Sequence, residues 1–426
     1  MVADEILKDA SLQQNNSRGH HDDYEQNAVS DYKGPLKRSP FRALVQDFSP
    51  IWFTWCMNAG IIGTLLRRLP YQFPGLQTIS TIAFILDLAL YIVFSAIYIL
   101  HFVIFRQQAY DELVGSVADL CLFPCWSIAW MTLVSFVSLT ASNASWGGHP
   151  FTIVACVMWW MAAAWIFGML FYVFVILIRR HTILDRQLPT LIIIPAVGVS
   201  TLAAVGGLVT CFSHEISARL AVPIIIMSFC AVGVGILLGL ILYTYLFHQL
   251  LAKGWPLPPQ TATLFILVGP MGQSAAALQL LGSAANTHGH FSAYNKGFFL
   301  TGTAAISLEV ACSLLALLMT GLGAVWLGLA FCAMIDRAYR QKLIWAPTWN
   351  AIIFPTATLA TSTLLFGTEM DSPFFRVVTV ILVIFLILVF FVNTAFTLRK
   401  IFKGELLIVR EDPRLKEQQD ERRKAR

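Results

Sequence analysis

Apolar runs of membrane-spanning length alternate with short polar joints along most of the chain. A run of about 20 apolar residues is long enough to cross a hydrocarbon core as a helix. Ten such runs lie near residues 50–68, 79–105, 116–140, 151–178, 188–212, 217–250, 261–282, 297–331, 349–367 and 373–398. The pattern therefore predicts an all-α polytopic membrane protein with ten transmembrane helices.

The two ends of the chain lack this pattern. Residues 1–47 are polar and aperiodic, which predicts a disordered tail, and the first 20 residues hold no apolar segment typical of a cleavable signal peptide. Residues 401–426 are highly charged. We therefore predict a transmembrane transport domain over residues 48–400, flanked by an N-tail and a C-tail.

Composition supports the membrane assignment and narrows the chemistry. Only 12% of residues are charged and mean hydropathy is +0.69, whereas soluble chains carry about 25% charged residues. The eight cysteines lie in apolar runs without a C-x-x-C pair, so we interpret them as packing residues. No enzyme motif, metal-ligand cluster or basic aromatic segment is present, so we expect no catalysis, no cofactor, no metal and no nucleic-acid partner.

The basic residues of the joints predict the orientation. If the N-tail is cytosolic, the inside joints carry Arg106, Arg179, Arg180, Arg186, Lys253, Arg337, Arg340, Lys342, Arg399, Lys400 and Lys403. The outside joints carry few, so the positive-inside bias places both termini in the cytosol. Asn143-Ala144-Ser145 is a glycosylation sequon in a joint assigned outside, which makes Asn143 a candidate acceptor.

Prolines mark the odd-numbered helices. Pro124, Pro195, Pro270 and Pro355 lie inside odd spans, whereas Pro223 is the one proline within an even span. A proline removes a backbone hydrogen bond, and the freed carbonyl needs a protein or water partner inside a membrane. We predict five helical hairpins in which kinked odd helices line a central pore. The alternative is that membrane helices simply tolerate proline.

The seventh span contains the strongest candidate site. Gly269, Pro270 and Gly272 interrupt an apolar run, and Gln273 and Ser274 follow them. A broken helix can direct its N–H groups and its positive dipole end at an anion, and a glycine lets backbone approach a solute. Alternatively, Gln273 and Ser274 hydrogen-bond neighbouring helices.

Two other spans carry candidate residues. Phe354, Pro355 and Thr356 place an aromatic ring and a hydroxyl beside a break in the ninth span. Asn58, in the first span, faces either the pore or a neighbouring helix.

Charged and titratable candidates are few. No Lys or Arg lies near the middle of a span, so a pathway of neutral donors with weak affinity is favoured. The intramembrane acids are Asp87, Asp119 and Glu309. Asp87 and Glu309 are candidates for carrying a coupling proton, although a structural role is the favoured one for Glu309. His214, His288 and His290 lie in outside joints, where we expect solvated side chains.

The chain resembles the tellurite-resistance/dicarboxylate transporter family, which includes plant slow-type anion channels, fungal malate transporters and fungal sulfite-efflux pumps. The residues that carry the resemblance are the proline-bearing odd helices, the F-S-P-x-W-F run from Phe48, the run GPMGQSAAALQLLG from Gly269 and the W-N-x-x-x-F-P-T run from Trp349. The last two runs are most similar to the sulfite-efflux pumps.

The resemblance implies a barrel of five hairpins, commonly a trimer with one pore per protomer. It also implies that Phe354 matches the family's pore-occluding phenylalanine. The family usually has a Gly-x-Gly step in its first helix, where this chain has Asn58-Ala59-Gly60, so only Gly60 carries over.

We therefore expect a plasma-membrane exporter of sulfite or bisulfite, acting in the lipid bilayer as a homo-oligomer. A dicarboxylate (malate) carrier of the same fold is the first alternative. A membrane sensor or scaffold whose charged tails bind partners is the second.

Overall fold

The structure is a computed structural model, and it describes residues 38–181 and 189–409. The chain divides into two compact units. One comprises residues 48–398, and the other contains the described terminal residues 38–47 and 399–409.

The terminal unit contains a short helix, Pro40–Gln46, whose first turn is capped by the Ser39 hydroxyl accepting the Arg42 N–H at 3.2 Å. The Arg38 guanidinium donates to both carboxylate oxygens of Asp47, at 3.1 and 2.5 Å, and to the carbonyl of Val409 at 3.1 Å. The predicted disorder is therefore wrong for residues 40–46, because capping and a proline in the first turn favour a helix. The rest of the predicted N-tail, residues 1–37, lies outside the described residues, as does most of the predicted C-tail.

The larger unit is built from long helices, which we number α1 to α10. They are α1 Phe53–Arg68, α2 Leu76–Ile104, α3 Cys125–Phe136, α4 His149–Arg180, α5 Ile194–Phe212, α6 Ala218–Lys253, α7 Val268–Ala285, α8 Gly302–Tyr339, α9 Ile353–Glu369 and α10 Pro373–Phe402. Over residues 38–181 and 189–409, nine helical segments are long and apolar enough to cross a membrane. The remaining helix, α1, has 16 residues, of which 13 are buried. The chain is therefore an α-helical polytopic membrane protein.

Burial separates the helices into two classes. In the apolar stretches that contain α3, α5, α7 and α9, between 72% and 100% of residues are buried. In α2, α4, α6, α8 and α10 the share is between 17% and 39%. The odd helices are therefore inside the molecule, and the even helices present apolar side chains outwards, where lipid would solvate them.

The five odd helices contact one another in a closed ring, in the order α1, α3, α5, α7, α9 and back to α1. Their C-termini share one end of the ring, as shown by contacts between Arg68 and Phe212 and between Ser138 and Ser213. We call this the C-terminal end, and we call the opposite end, where the odd helices begin, the N-terminal end.

Each odd helix is preceded by a tighter or broken segment. Stretches of 3-10 helix, Pro50–Trp52, Thr190–Ile193, Pro258–Leu267 and Pro347–Ile352, lead into α1, α5, α7 and α9. The short helix Val117–Leu122 and a turn precede α3. The α-helical N-termini therefore lie within the spans rather than at their edges.

The prolines occupy these junctions. Pro124 immediately precedes α3, Pro195 is the second residue of α5, and Pro270 and Pro355 are the third residues of α7 and α9. In the first turn of a helix the missing N–H has no intrahelical acceptor, so proline is tolerated there. The predicted kinks are therefore changes of helix type, and the prolines need not free a carbonyl in mid-helix.

Candidate functional site

A cavity of about 300 Å³ lies at the N-terminal end of the ring. All five odd helices or their lead-in segments line it. The lining residues are Ser49, Ile51, Thr54, Met57, Asn58, Ala118, Asp119, Leu122, Cys125, Ile128, Pro189, Thr190, Leu191, Ile194, Val197, Gln260, Thr263, Ile266, Pro347, Thr348, Asn350, Ala351, Phe354 and Pro355. We call this space the N-terminal cavity.

The N-terminal cavity favours a small anion. A helix macrodipole places about half a positive charge at the N-terminal end of the helix. The starts of α1, α3, α5 and α9 and the lead-in segment of α7 line one space here. The first N–H groups of α1, α5, α7 and α9 already donate to their 3-10 segments, so the dipoles would act on an anion through their field. The polar lining is mainly uncharged, with hydroxyls from Thr54, Thr190 and Thr263. No Lys or Arg belongs to the described lining, so binding would rest on neutral donors and dipoles.

One carboxylate also lines this space. Asp119 accepts a hydrogen bond from the Ser49 hydroxyl at 3.0 Å, and its own N–H donates to Ser116 at 3.2 Å. Asp119 was identified from the sequence as an intramembrane acid, but its position beside a site for anions was not predicted. A carboxylate in the wall opposes tight anion binding, which suits rapid release.

Phe354 is the second residue of α9 and lines the cavity, with 3% of its side chain exposed. Its backbone N–H donates to the Asn58 Oδ1 at 3.1 Å. The Asn58 Nδ2 donates in turn to the carbonyl of Asn350 at 3.2 Å. In a regular helix Phe354 would donate to Asn350 directly. The Asn58 amide therefore inserts into the backbone ladder at the residue that lines the cavity.

The Asn58 side chain thus bonds a neighbouring helix, which was one of its two predicted roles. A second amide extends the network, because Asn393 Nδ2 lies 3.5 Å from the side-chain oxygen of Asn350. The Trp345 indole N–H donates to Asn393 Oδ1 at 3.3 Å. No role was predicted from the sequence for Asn350 or Asn393, since their partners lie far away along the chain.

The candidate residues of the seventh span are buried inside the ring. Gln273 Nε2 donates to Thr201 Oγ1 at 3.2 Å, and the Ser274 hydroxyl donates to Ser200 Oγ at 3.2 Å. Both side chains therefore link α7 to α5. These contacts match the alternative in which the two residues bond a neighbouring helix, and their role as solute donors stays a prediction.

Gly272 permits a close approach of two helices. A Cβ atom at this position would lie 2.2 Å from Thr358 Oγ1 and 2.6 Å from the backbone nitrogen of Leu359. Both atoms belong to α9, so this glycine is needed for packing of α7 against α9. The approach of a solute to Gly272 stays a prediction.

We expect Gly272→Ala to lower the thermal midpoint of the detergent-solubilised protein, because overpacking against backbone costs about 1–3 kcal/mol or more. Gly269→Ala is the matched control on the same helix. Its Cβ would lie 3.1 Å from a Val197 methyl group, which can shift, and 3.8 Å from Pro355. Equal midpoints for the two variants would contradict the packing role of Gly272.

Gly60, like Gly272, permits a close approach of helices, here of α1 to α2 and α3. A Cβ there would lie 2.4 Å from the Asp87 Oδ2 and 2.4 Å from the Thr132 Cβ. Asp87 is fully buried, and its Oδ2 accepts the Thr132 hydroxyl at 2.7 Å. Its Oδ1 has no hydrogen-bond partner among the described residues. A carboxyl from an outer helix thus reaches two helices of the ring.

Glu309 lies near the C-terminal end of the ring, where its carboxylate links two parts of the fold. Its two carboxylate oxygens accept hydrogen bonds from Asn286 Nδ2 at 2.6 Å and from the Thr287 hydroxyl at 2.8 Å. Asn286 and Thr287 directly follow α7, so Glu309 ties the end of that helix to α8. This agrees with the structural role favoured from the sequence.

The polar residues of the loops at this end differ in burial. His214 and His288 are exposed, as predicted, whereas His290 is 7% exposed and its Nε2 lies 2.8 Å from the carbonyl of Thr210. The expectation of a solvated side chain is therefore wrong for His290, because packing of the short helix His290–Tyr294 buries it.

Asn143 Nδ2 donates to the Phe212 carbonyl at 2.8 Å, so a glycan on this nitrogen would compete with that contact. Its glycosylation stays a prediction.

Comparison with known proteins assigns the family. The sequence profile of the voltage-dependent anion channel (SLAC1) family matches residues 47–398, which include the whole ring and the cavity. The chain belongs to this family. Members are channels and transporters rather than enzymes, so the chain is an anion channel or transporter.

Three curated relatives are distant in sequence. The sulfite efflux pump SSU1 of Trichophyton rubrum is 26% identical over 344 residues, which cover 78% of this chain and 85% of that protein. The malic acid transport protein of Schizosaccharomyces pombe is 22% identical over 352 residues, covering 79% and 74%. The sulfite efflux pump SSU1 of Saccharomyces cerevisiae is 23% identical over 267 residues, covering 56% and 58%.

Proposed function

We propose that the protein exports sulfite or bisulfite across the plasma membrane, through the interior of the ring formed by α1, α3, α5, α7 and α9. The observation that carries the proposal is the N-terminal cavity, where the starts or lead-in segments of five helices and neutral donors surround about 300 Å³. In the orientation predicted from the joints, this cavity opens toward the cytosol. Similarity to sulfite efflux pumps supports the substrate.

The physical driving force suits export of an anion. An inside-negative potential favours the exit of each negative charge by about 2.3 kcal/mol per 100 mV. Neutral donors release an anion faster than a fixed cation would, because they leave no permanent charge pair to break. Thr356 adds a further donor, since its buried hydroxyl has no partner among the described residues.

Phe354 would close the pathway at the inner end of the N-terminal cavity. Asn58 would hold the backbone of Phe354 and so fix where the ring lies. Asp87 is the better candidate for a coupling proton, because both Glu309 oxygens accept hydrogen bonds whereas one Asp87 oxygen has no partner in the described part of the chain. The homo-oligomer, a trimer by resemblance, belongs to the same proposal.

Malate transport by the same fold is the competing function, because malic acid transport proteins are also relatives. A dicarboxylate carries two separated charges, and the described lining of the N-terminal cavity offers no cationic side chain for either. Purified protein in phosphatidylcholine vesicles loaded with sulfite or with malate separates the two. We expect sulfite release well above that of empty vesicles and little malate release. Malate release without sulfite release would overturn the proposal.

Asp119 provides a test of the charge in the cavity. We expect Asp119→Asn to raise sulfite flux several-fold at low substrate concentration, because two like charges at short range repel even in a partly hydrated site. Ser49→Ala is the control, since it removes the hydrogen bond to Asp119 and keeps the charge. An unchanged or lower flux for Asp119→Asn, in a protein of unchanged thermal midpoint, would contradict the placement of the anion beside Asp119.

A further inference from the structure

The C-terminal end of the ring poses an electrostatic problem for an exported anion. Five helices point their C-termini toward this end, and each macrodipole places about half a negative charge there. An anion that is drawn in at the N-terminal cavity therefore meets repulsion where it leaves. A compensating positive charge at this end would lower that barrier.

Arg68 supplies a positive charge at this end. It is the last residue of α1, and its guanidinium carbon lies 4.0 Å from the centroid of the Phe212 ring, at the end of α5. Helices α1 and α5 are separated in the ring by α3. The Arg68 side chain therefore joins two helices that are not neighbours in the ring, at its C-terminal end.

The Arg68 side chain is partly exposed. In the described ranges 38–181 and 189–409, no carboxylate lies within 4.0 Å of it and no hydrogen bond from it is found. Stacking on an aromatic face uses the guanidinium plane and leaves its N–H edge free. That edge presents several donors in one plane, which is the geometry that binds oxyanions in pairs of hydrogen bonds.

The titratable groups near Arg68 leave its positive charge available to bind an anion. The nearby carboxylates are engaged elsewhere: Glu309 accepts from Asn286 and Thr287, and Glu369 accepts from Ser313 at 3.3 Å. His288 lies edge-on to Phe212 at 6.0 Å. Burial, followed by the charges of His290 and Arg68, lowers the pKa of His288 from its ordinary value of 6.5. His288 is therefore largely neutral at pH 7, and Arg68 is the permanent cation of the group.

We propose that Arg68, held on Phe212, is an oxyanion-binding station at the C-terminal end of the ring, where it receives the anion before release. This inference rests on the proposed function, because it assigns an exit site to the same pathway. The station lies at one end rather than in mid-span, so it does not convert the pathway into a tight binding site.

Arg67 offers a matched control for Arg68. It is the preceding residue on the same helix, and its guanidinium donates instead to Gln77 of α2 at 3.1 Å. We therefore compare Arg68→Gln, Arg68→Lys and Arg67→Gln in sulfite-loaded phosphatidylcholine vesicles. We expect Arg68→Gln to lower flux about tenfold, Arg68→Lys to retain most of the flux, and Arg67→Gln to match the unsubstituted protein.

The outcomes separate the two proposals. Equal flux for Arg68→Gln and Arg67→Gln, with a working unsubstituted protein, overturns the exit station and leaves the proposed function in place. Absence of any anion flux from the unsubstituted protein overturns the proposed function itself.

A second measurement covers the case in which Arg68→Gln does not fold. Flux through the unsubstituted protein is measured at low sulfite while the ionic strength is raised with an impermeant salt only on the side of the C-terminal end, so that Asp119 in the N-terminal cavity is not screened. A partly exposed fixed cation is screened over a Debye length of about 10 Å at 0.1 M salt, so flux should fall several-fold. Flux that does not change with ionic strength would overturn the station.

Discussion

Phe354→Ala is expected to raise anion flux through reconstituted protein by tenfold or more. The ring of Phe354 lines the N-terminal cavity at the start of α9, and it is almost fully buried among the odd helices. Removing it would widen the pathway at the point where the account places the closure. The measurement is sulfite release from loaded vesicles, normalised to the amount of folded protein.

A second buried phenylalanine on α9 provides the control for this substitution. Phe366 is fully buried, packs against Phe375 with ring centroids 5.3 Å apart, and lies outside the described lining of the cavity. Loss of either ring should destabilise the protein by about 3–5 kcal/mol. Only Phe354→Ala should increase flux. An increase of the same size for both variants would show that loosened packing, rather than an opened gate, causes the leak.

Asn58→Ala is expected to cause the largest loss of stability among single polar substitutions in the ring. It leaves the buried Phe354 N–H without its partner, whereas the Asn350 carbonyl still accepts the Ile353 N–H. A buried unsatisfied donor costs about 1–3 kcal/mol, so the free energy of unfolding should fall by about that amount. Because the same contact holds the backbone of the gate, basal flux per folded molecule should also rise.

Asn393→Ala is the control for Asn58→Ala. Asn393 belongs to the same network and is equally buried, but it contacts the side chain of Asn350 and Trp345 rather than the backbone of α9. We expect a smaller loss in thermal midpoint and no rise in basal flux. If Asn393→Ala leaks as much as Asn58→Ala, the network as a whole, and not the bridge to Phe354, positions the gate.

The helical class and the division into inner and outer helices were accessible from the sequence. Hydropathy alone predicted the spans, because a helix in lipid needs a long apolar run. The prolines at Pro124, Pro195, Pro270 and Pro355 distinguished the odd helices, and the burial of those helices agrees with this distinction. The 3-10 segments were not predicted, since hydropathy does not separate two helix types in a uniformly apolar run.

The chemistry of the candidate site was only partly accessible. Phe354 and Thr356 were identified from local patterns around Pro355. The bridge from Asn58 to Asn350 was not, because the two residues are 292 positions apart and nothing local to either one indicates the other. The contact of Arg68 with Phe212 was not accessible either, since it depends on how the ring closes.

The central claim is that anions cross the protein through the N-terminal cavity. Thr54 lines that cavity and is partly exposed, so Thr54→Cys places a thiol in the proposed path. Variant and control both carry Cys125→Ala, because Cys125 lines the same cavity, and Cys230 and Cys332, exposed on α6 and α8, lie outside that lining in both proteins. A negatively charged methanethiosulfonate reagent should abolish sulfite flux through Thr54→Cys, leave the control active, and react more slowly when sulfite is present. Full flux through completely labelled Thr54→Cys would contradict the account.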